Sequence, residues 1–318
     1  MTSACIKTTP RILLFCLMVL APAVWATPAP LLQLDIAHAG NRLVTVGDRG
    51  SVQYSDDQGR DWQPAQTPTQ QLLTALYFVD ARQGWAVGHD AQILATADAG
   101  AHWTLQFEDP SRQAPLLDIW FGDRHHGFAI GAYGALLRTD DGGAHWRDSS
   151  PSLDNPEQLH LNAIAGTKSG VLFIVGETGG LWRSTDQGGS WQRLPLDYDG
   201  SLFGVLATAQ PDTVLVFGLR GQLYRSADSG NTWQAIDLPG EHPSLSGGSL
   251  QADDSLVLVG NAGSVLRSND DGRSFSLFER PDRLALSAVT GTADGALVVV
   301  GQGGARRALA SGAEPVQP

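Results

Sequence analysis

Short apolar runs ended by a glycine recur along the chain as "RLVTVG", "GWAVG", "GFAIG", "LFIVG", "VLVFG", "LVLVG" and "LVVVG". A tight turn follows each glycine, then a second apolar segment such as "SVQY", "QILA" or "QLYR". Ahead of each pair stands a third segment, as in "LTALYFVD", "LLDIWFGD", "LNAIAGT", "LFGVLATA" and "LSAVTGT". Short β-branched and aromatic runs bounded by turn residues predict strands. After the first residues, nothing in the chain carries the 3.6-residue period of an amphipathic helix.

A fixed polar box follows six of these units. It reads Ser55-x-Asp57-x-Gly59-x-x-Trp62, then Thr96, Asp98, Gly100 and Trp103 in the same spacing, then Thr139, Asp141, Gly143 and Trp146. Ser184, Asp186, Gly188 and Trp191 repeat it, followed by Ser226, Asp228, Gly230 and Trp233, and by Ser268, Asp270, Gly272 and Phe275. The aromatic positions lie 41, 43, 45, 42 and 42 residues apart. Three strands, a box and a short outer strand opening at the aromatic make four short strands per unit, the pattern of a propeller blade. Seven copies of the first three strands predict an all-β, seven-bladed propeller of four-stranded antiparallel blades. The seventh copy, from Leu297, has no box. Its outer strand is expected to be absent, or to come from "GAEPVQP" or the mature N-terminus.

Box chemistry fits a turn better than a reaction centre. The hydroxyl and the carboxylate accept backbone N–H groups locally, the glycine supplies an open backbone conformation, and the aromatic buries its ring against the sheet or the next blade. An active site uses one or two carboxylates in distinct environments, whereas six copies around a ring cannot share one centre. Asp57, Asp98, Asp141, Asp186, Asp228 and Asp270 are therefore read as structural, with Trp62, Trp103, Trp146, Trp191, Trp233 and Phe275. In their spacing the boxes resemble BNR or Asp-box repeats. Coupled to the glycine-ended strands, they resemble the photosystem II stability/assembly factor family over residues 31 to 310. That resemblance implies a non-catalytic propeller that helps assemble or stabilise a membrane protein complex on the exported side. It does not imply a photosystem as the client.

The first residues change the picture of where such a protein works. "MTSACIKTTPRILLFCLMVLAPAVWA" has Lys7 and Arg11, an apolar run from Ile12 to Leu20, and then Val24-Trp25-Ala26. This reads as a signal peptide over 1–26, leaving a single propeller domain over 27–318 and a periplasmic or otherwise exported product. The two cysteines, Cys5 and Cys16, fall in the leader, so the mature chain is expected to stand without disulfides. With Lys7 and Arg11 removed, 19 basic residues face 33 acidic ones, a net charge of −14. Such a surface disfavours nucleic acid and anionic lipid as partners.

Unlike the boxes, the turns between the second and third strands differ from unit to unit, as a recognition surface does. They hold Asp48-Arg49, His89-Asp90, Tyr133, Glu177-Thr178, Arg220, Asn261 and Gln302. The alternative is that these are ordinary solvated turn residues. Asp154, Glu157, Tyr198 and Asp199, in the unit-to-unit connections, are candidates for a partner-binding rim. Arg138, Arg183, Arg225 and Arg267 each precede a box hydroxyl. They are candidates either for a partner patch, which the family resemblance implies, or for pairing with a box carboxylate of an adjacent blade.

No HExxH or Cys/His spacing predicts a metal, and no phosphate-cradling loop predicts a nucleotide, so neither metal nor cofactor is expected. The sequence thus favours a non-catalytic exported scaffold that binds a protein, either a membrane complex or an exporter. A sialidase-like glycoside hydrolase and a carbohydrate-binding propeller are the alternatives. An enzyme of that class should bring two carboxylates together near the central channel, beside arginines.

Overall fold

The computed structural model describes residues 1–2, 31–241 and 243–315. The signal peptide expected over 1–26 lies, apart from its first two residues, outside them.

Seven antiparallel sheets follow one another along the chain, six of four strands and a last one of three. Blade 1 shows the plan: an inner strand Gln33–Ala39, a second strand Arg42–Gly47, a third Val52–Ser55 and a short outer strand Gln63–Pro64. The remaining inner strands are Leu73–Phe78, Leu116–Phe121, Leu161–Gly166, Leu202–Ala207, Leu245–Leu250 and Leu286–Gly291. Each inner strand contacts its counterpart in the next blade, and Leu286–Gly291 contacts Gln33–Ala39 to close the ring. No described helix is long and apolar enough to cross a membrane.

The glycine that ends each second strand is fixed by a close approach. The N–H of the residue after it bonds to the carbonyl just before the inner strand, as in Asp48 to Leu32 at 2.9 Å and Gln302 to Ala285 at 3.1 Å. A Cβ on Gly47 would sit 2.1 Å from the Leu32 oxygen, and one on Gly301 would sit 2.2 Å from that of Ala285. Gly88, Gly131, Gly176, Gly218 and Gly260 meet the same obstruction. Opposite each glycine the inner strand bulges at its second residue, in all seven blades.

At the other end of each blade lies the box. Ser55 Oγ donates to Asp57 at 2.8 Å and accepts the Gly59 N–H at 2.8 Å, while Asp57 accepts the Asp61 N–H at 2.9 Å. The same bonds recur through Ser268, Asp270, Gly272 and Ser274. At Asp186 the Ser190 hydroxyl and amide hold the carboxyl at about 2, below its ordinary range. Four of the box aromatics, Trp103, Trp146, Trp191 and Trp233, face phenylalanines edge-on. Trp191 meets Phe128 of the preceding blade with centroids 6.0 Å apart, and Trp233 meets Phe173 in the same way at 6.2 Å.

The seventh blade has three strands, ending in Gly304–Ala308, and the described part of "GAEPVQP", Gly312–Pro315, forms no strand. A cluster of Ile36, Leu43, Ala288, Val298 and Val300, with Trp62 against it, fills the seam to blade 1. Polar contacts reinforce it: Arg307 donates to the Gln58 carbonyl at 2.6 Å, and Arg60 and Arg307 both reach Asp294.

Trp191 is 7% exposed, so Trp191→Ala opens a cavity between blades 3 and 4 and is expected to cost ~3–5 kcal/mol. Urea unfolding followed by circular dichroism measures this. A midpoint unchanged from the parent would show that the box aromatics do not hold neighbouring blades together.

Candidate functional site

Antiparallel order places the turns between second and third strands, together with the blade-to-blade connections, on one face and the boxes on the other. In each turn the first residue, as at His89, Asn261 and Gln302, gives its N–H to the carbonyl before the inner strand. In the first six blades the next residue is left-handed, as in Arg49 at φ 55°, Tyr133 at 55° and Arg220 at 57°. This conformation directs their side chains outward, and Tyr133 is 61% exposed. Glu177 turns back, its carboxylate accepting the His160 N–H at 3.0 Å.

Two neighbouring parts of this face form cavities. One, of about 350 Å³, is lined by Tyr133, Asp154 and Asn155 among others, and His160 meets the Tyr133 ring edge-on at 4.9 Å. The second, of about 570 Å³, brings together Asp197, Tyr198, Asp199, Arg220, Gln222 and Tyr224. Tyr198 donates its hydroxyl to the Leu219 carbonyl at 3.2 Å, and Tyr224 donates to that of Asp197 at 3.3 Å. With their hydroxyls held by main-chain acceptors, both rings are oriented along the cavity wall. Glu157 lies outside these cavities and pairs with Arg193 at 3.3 Å. Arg49, His89, Asn261 and Gln302 stand on other blades and line neither cavity.

The four periodic arginines lie at the opposite face and reach across to the following blade. Arg138 approaches the Gly188 carbonyl at 3.4 Å, Arg183 donates to Ser229 at 2.8 Å, and Arg225 to Asp271 at 2.7 Å. Arg267 donates to Ala310 at 3.2 Å. Each of these acceptors is a main-chain carbonyl; Arg183 also reaches the Asn231 amide oxygen, and Arg225 also pairs with the Asp271 carboxylate inside the next box, whereas the repeating aspartates Asp186, Asp228 and Asp270 are not the arginines' partners. Box carboxylates are already occupied: Asp270 takes the Ser268 hydroxyl and both the amide and hydroxyl of Ser274. The residue after each box aspartate is left-handed, at Gln58, Ala99, Gly142, Gln187, Ser229 and Asp271. That conformation turns a carbonyl of the box out of its own turn. Arg307, which the sequence reading did not single out, does the same at the closing seam, and Arg42 and Trp85 approach Ala99 and Gly142 from second strands. Arg225, at 7% exposure, is buried by this contact.

Two carboxylates do sit on the inner wall. Asp35 accepts the N–H groups of Ile36 at 2.8 Å and of Leu76, in the next blade, at 2.9 Å. Asp118 accepts those of Ile119 and of Ile164, both at 2.8 Å. Burial pushes each up to about 7 against the pull of these amides, and the Asp35 charge adds to the rise at Asp118. Every oxygen of the pair thus bonds a strand amide, and none of the seven inner strands carries an arginine. Among the described residues no group of three or more histidine, cysteine or acidic side chains is placed to hold a metal ion.

The fold and these two faces define a seven-bladed β-propeller with a self-bonded, repeating box face and a varied connection face. Its middle blades narrow that likeness to a photosystem II assembly factor family. Residues 105–240 match the family described as Photosynthesis system II assembly factor YCF48. The structure is similar to YCF48 bound to D1 peptide (TM-score 0.69, 18% identity, 89% of this chain and 93% of that one). It is equally similar to YCF48 from Cyanidioschyzon merolae (TM-score 0.69, 16% identity, 89% and 96%). A streptogramin B lyase shares the fold at TM-score 0.74 and 13% identity, over 88% of this chain and 94% of that one. No curated protein matches the chain in sequence.

Two predictions follow from the interior charges. Arg225→Met leaves Asp271, itself largely buried, without its main cation and is expected to cost about 3–5 kcal/mol, whereas Arg225→Met/Asp271→Leu recovers most of it. Denaturant unfolding of both variants decides this, and a double variant as weak as the single one contradicts it. For Asp35 and Asp118 the folded carboxyls hold protons that the unfolded ones, near 3.8, have released. Their contribution is therefore present below about pH 4 and lost as pH rises through 7. Stability between pH 5 and 8 is expected to fall less steeply in Asp35→Asn/Asp118→Asn, and parallel pH profiles would refute the assignment.

Proposed function

We propose that this protein is a non-catalytic exported scaffold whose connection face binds a segment of a membrane protein during assembly or stabilisation of a complex. One observation carries the reading: the stretch matching the assembly-factor family, 105–240, also supplies Tyr133, Asp154, Tyr198, Asp199, Arg220 and Tyr224, the residues that make the two cavities. YCF48 bound to D1 peptide is among the similar propellers, which supports a peptide-like segment of a membrane protein as the ligand. The leader sequence supports work on the exported side. The inner-wall carboxylates support the non-catalytic part, since each is bonded to strand amides and has no arginine beside it on an inner strand.

Affinity capture from detergent-solubilised membranes with the mature chain, against Tyr133→Ala/Tyr198→Ala, tests this. The parent is expected to retain an integral membrane protein that the variant loses, with unchanged circular dichroism. Capture of none by the parent, or equal capture by both, sinks the proposal.

A further inference from the structure

The aromatic cavities of the connection face lie in an arc of one charge. From blade 3 to blade 5 it carries Asp148, Asp154, Glu157, Glu177, Asp197, Asp199, Asp237 and Glu241 against few cations. Asp148, Glu157 and Glu177 have partners in Arg112, Arg193 and His160. Asp154, Asp197, Asp199 and Asp237 are exposed and have no ion-pair partner among the described residues. Between them stand three tyrosines: Tyr133, exposed at the turn tip, and the Tyr198–Tyr224 pair with ring centroids 6.0 Å apart. Both hydroxyls of the pair point into main-chain carbonyls, and Tyr224 is itself buried behind Tyr198, so an incoming group meets the rings of Tyr133 and Tyr198 and the carboxylates.

Ring faces flanked by carboxylates attract ammonium and guanidinium groups, through the ring quadrupole and through charge. An anionic segment would instead face four uncompensated carboxylates with Arg220 alone on the cavity wall in its favour. A second copy of this chain, at −12 overall, is disfavoured in the same way. We infer that the segment held by the Tyr133–Tyr224 arc is cationic, an extended stretch whose lysine or arginine side chains enter the two cavities. This rests on the reading of the connection face as the binding face. Exported loops of membrane proteins are poor in Lys and Arg, so a cationic segment is a selective feature to read there. Arg220 opposes such a ligand from within the second cavity and thereby limits its affinity.

Fluorescence anisotropy of a labelled Gly/Ser peptide bearing lysines, with its glutamate counterpart as control, tests this on the full mature chain. The lysine peptide is expected to bind and the glutamate peptide not, with affinity falling about fivefold or more between about 0.05 M and about 0.3 M salt. Asp197→Asn/Asp199→Asn should weaken binding by about tenfold, while Arg220→Gln should strengthen it, a gain that a damaged fold does not produce. Binding of both peptides alike, of the glutamate peptide alone, of neither, or weakening by Arg220→Gln overturns the inference. If membrane capture still depends on Tyr133 and Tyr198 while the lysine peptide fails, the binding face stands and only its cationic preference falls.

Discussion

Neighbouring blades are held at their angle by a hand-over at the box face: a side chain of one blade bonds an outward-turned carbonyl in the box of the next. A box closes on itself through hydroxyl, carboxylate and glycine. The residue it forces into the left-handed region, such as Ser229 or Asp271, leaves an acceptor aimed at the preceding blade. Holding a non-glycine residue there costs on the order of 1 kcal/mol, offset when a charged donor takes the carbonyl. Arg183 and Arg225 do so, and Arg225 adds a carboxylate contact buried enough to be shielded from salt. With its only cysteines at positions 5 and 16, the propeller relies on such contacts and on apolar packing.

Closure of the ring is the same device under harder conditions. Blade 7 has no box, yet "ALASGAEP" preserves its spacing: Ala308 stands at the hydroxyl position, Ala310 at the carboxylate position and Gly312 at the glycine. Gly312 keeps the positive φ of a box glycine, at 92°, and Arg267 still finds a carbonyl there, at Ala310. Across the final seam Arg307 serves as the donor to Gln58, in line with the arginines of the earlier blades. The seam is thus closed by apolar packing and arginine contacts, without an exchanged strand.

The architecture was legible because a repeat averages away local ambiguity. One glycine after "RLVTV" says little, but seven say that a backbone must approach there, and the Leu32 carbonyl is what approaches Gly47. Arg307 escaped notice because its blade lacks the hydroxyl that marks the register. Arg42 and Trp85 escaped because they reach the next box from a second strand. The left-handed residue of each box is Gln, Ala, Gly, Ser or Asp, so no residue type marks it. Asp35 and Asp118 stood in plain view within apolar inner strands, where an isolated acid is the signal; their partners Leu76 and Ile164 are some forty residues on, beyond any local pattern.

The two faces differ because their hydrogen bonds are closed to different degrees. On the box face the carboxylates take donors from their own turns, and the outward carbonyls take donors from the neighbouring blade, so little is left for an outside ligand. On the connection face the repeat fixes only the backbone, through the N–H that follows each strand-ending glycine. Its side chains are held individually, as Tyr198 and Tyr224 are by main-chain carbonyls, and can differ between blades, as Arg49, Tyr133 and Arg220 do in equivalent turns. The proposed recognition surface therefore lies where the repeat is silent, on turns that share a backbone and differ in their side chains.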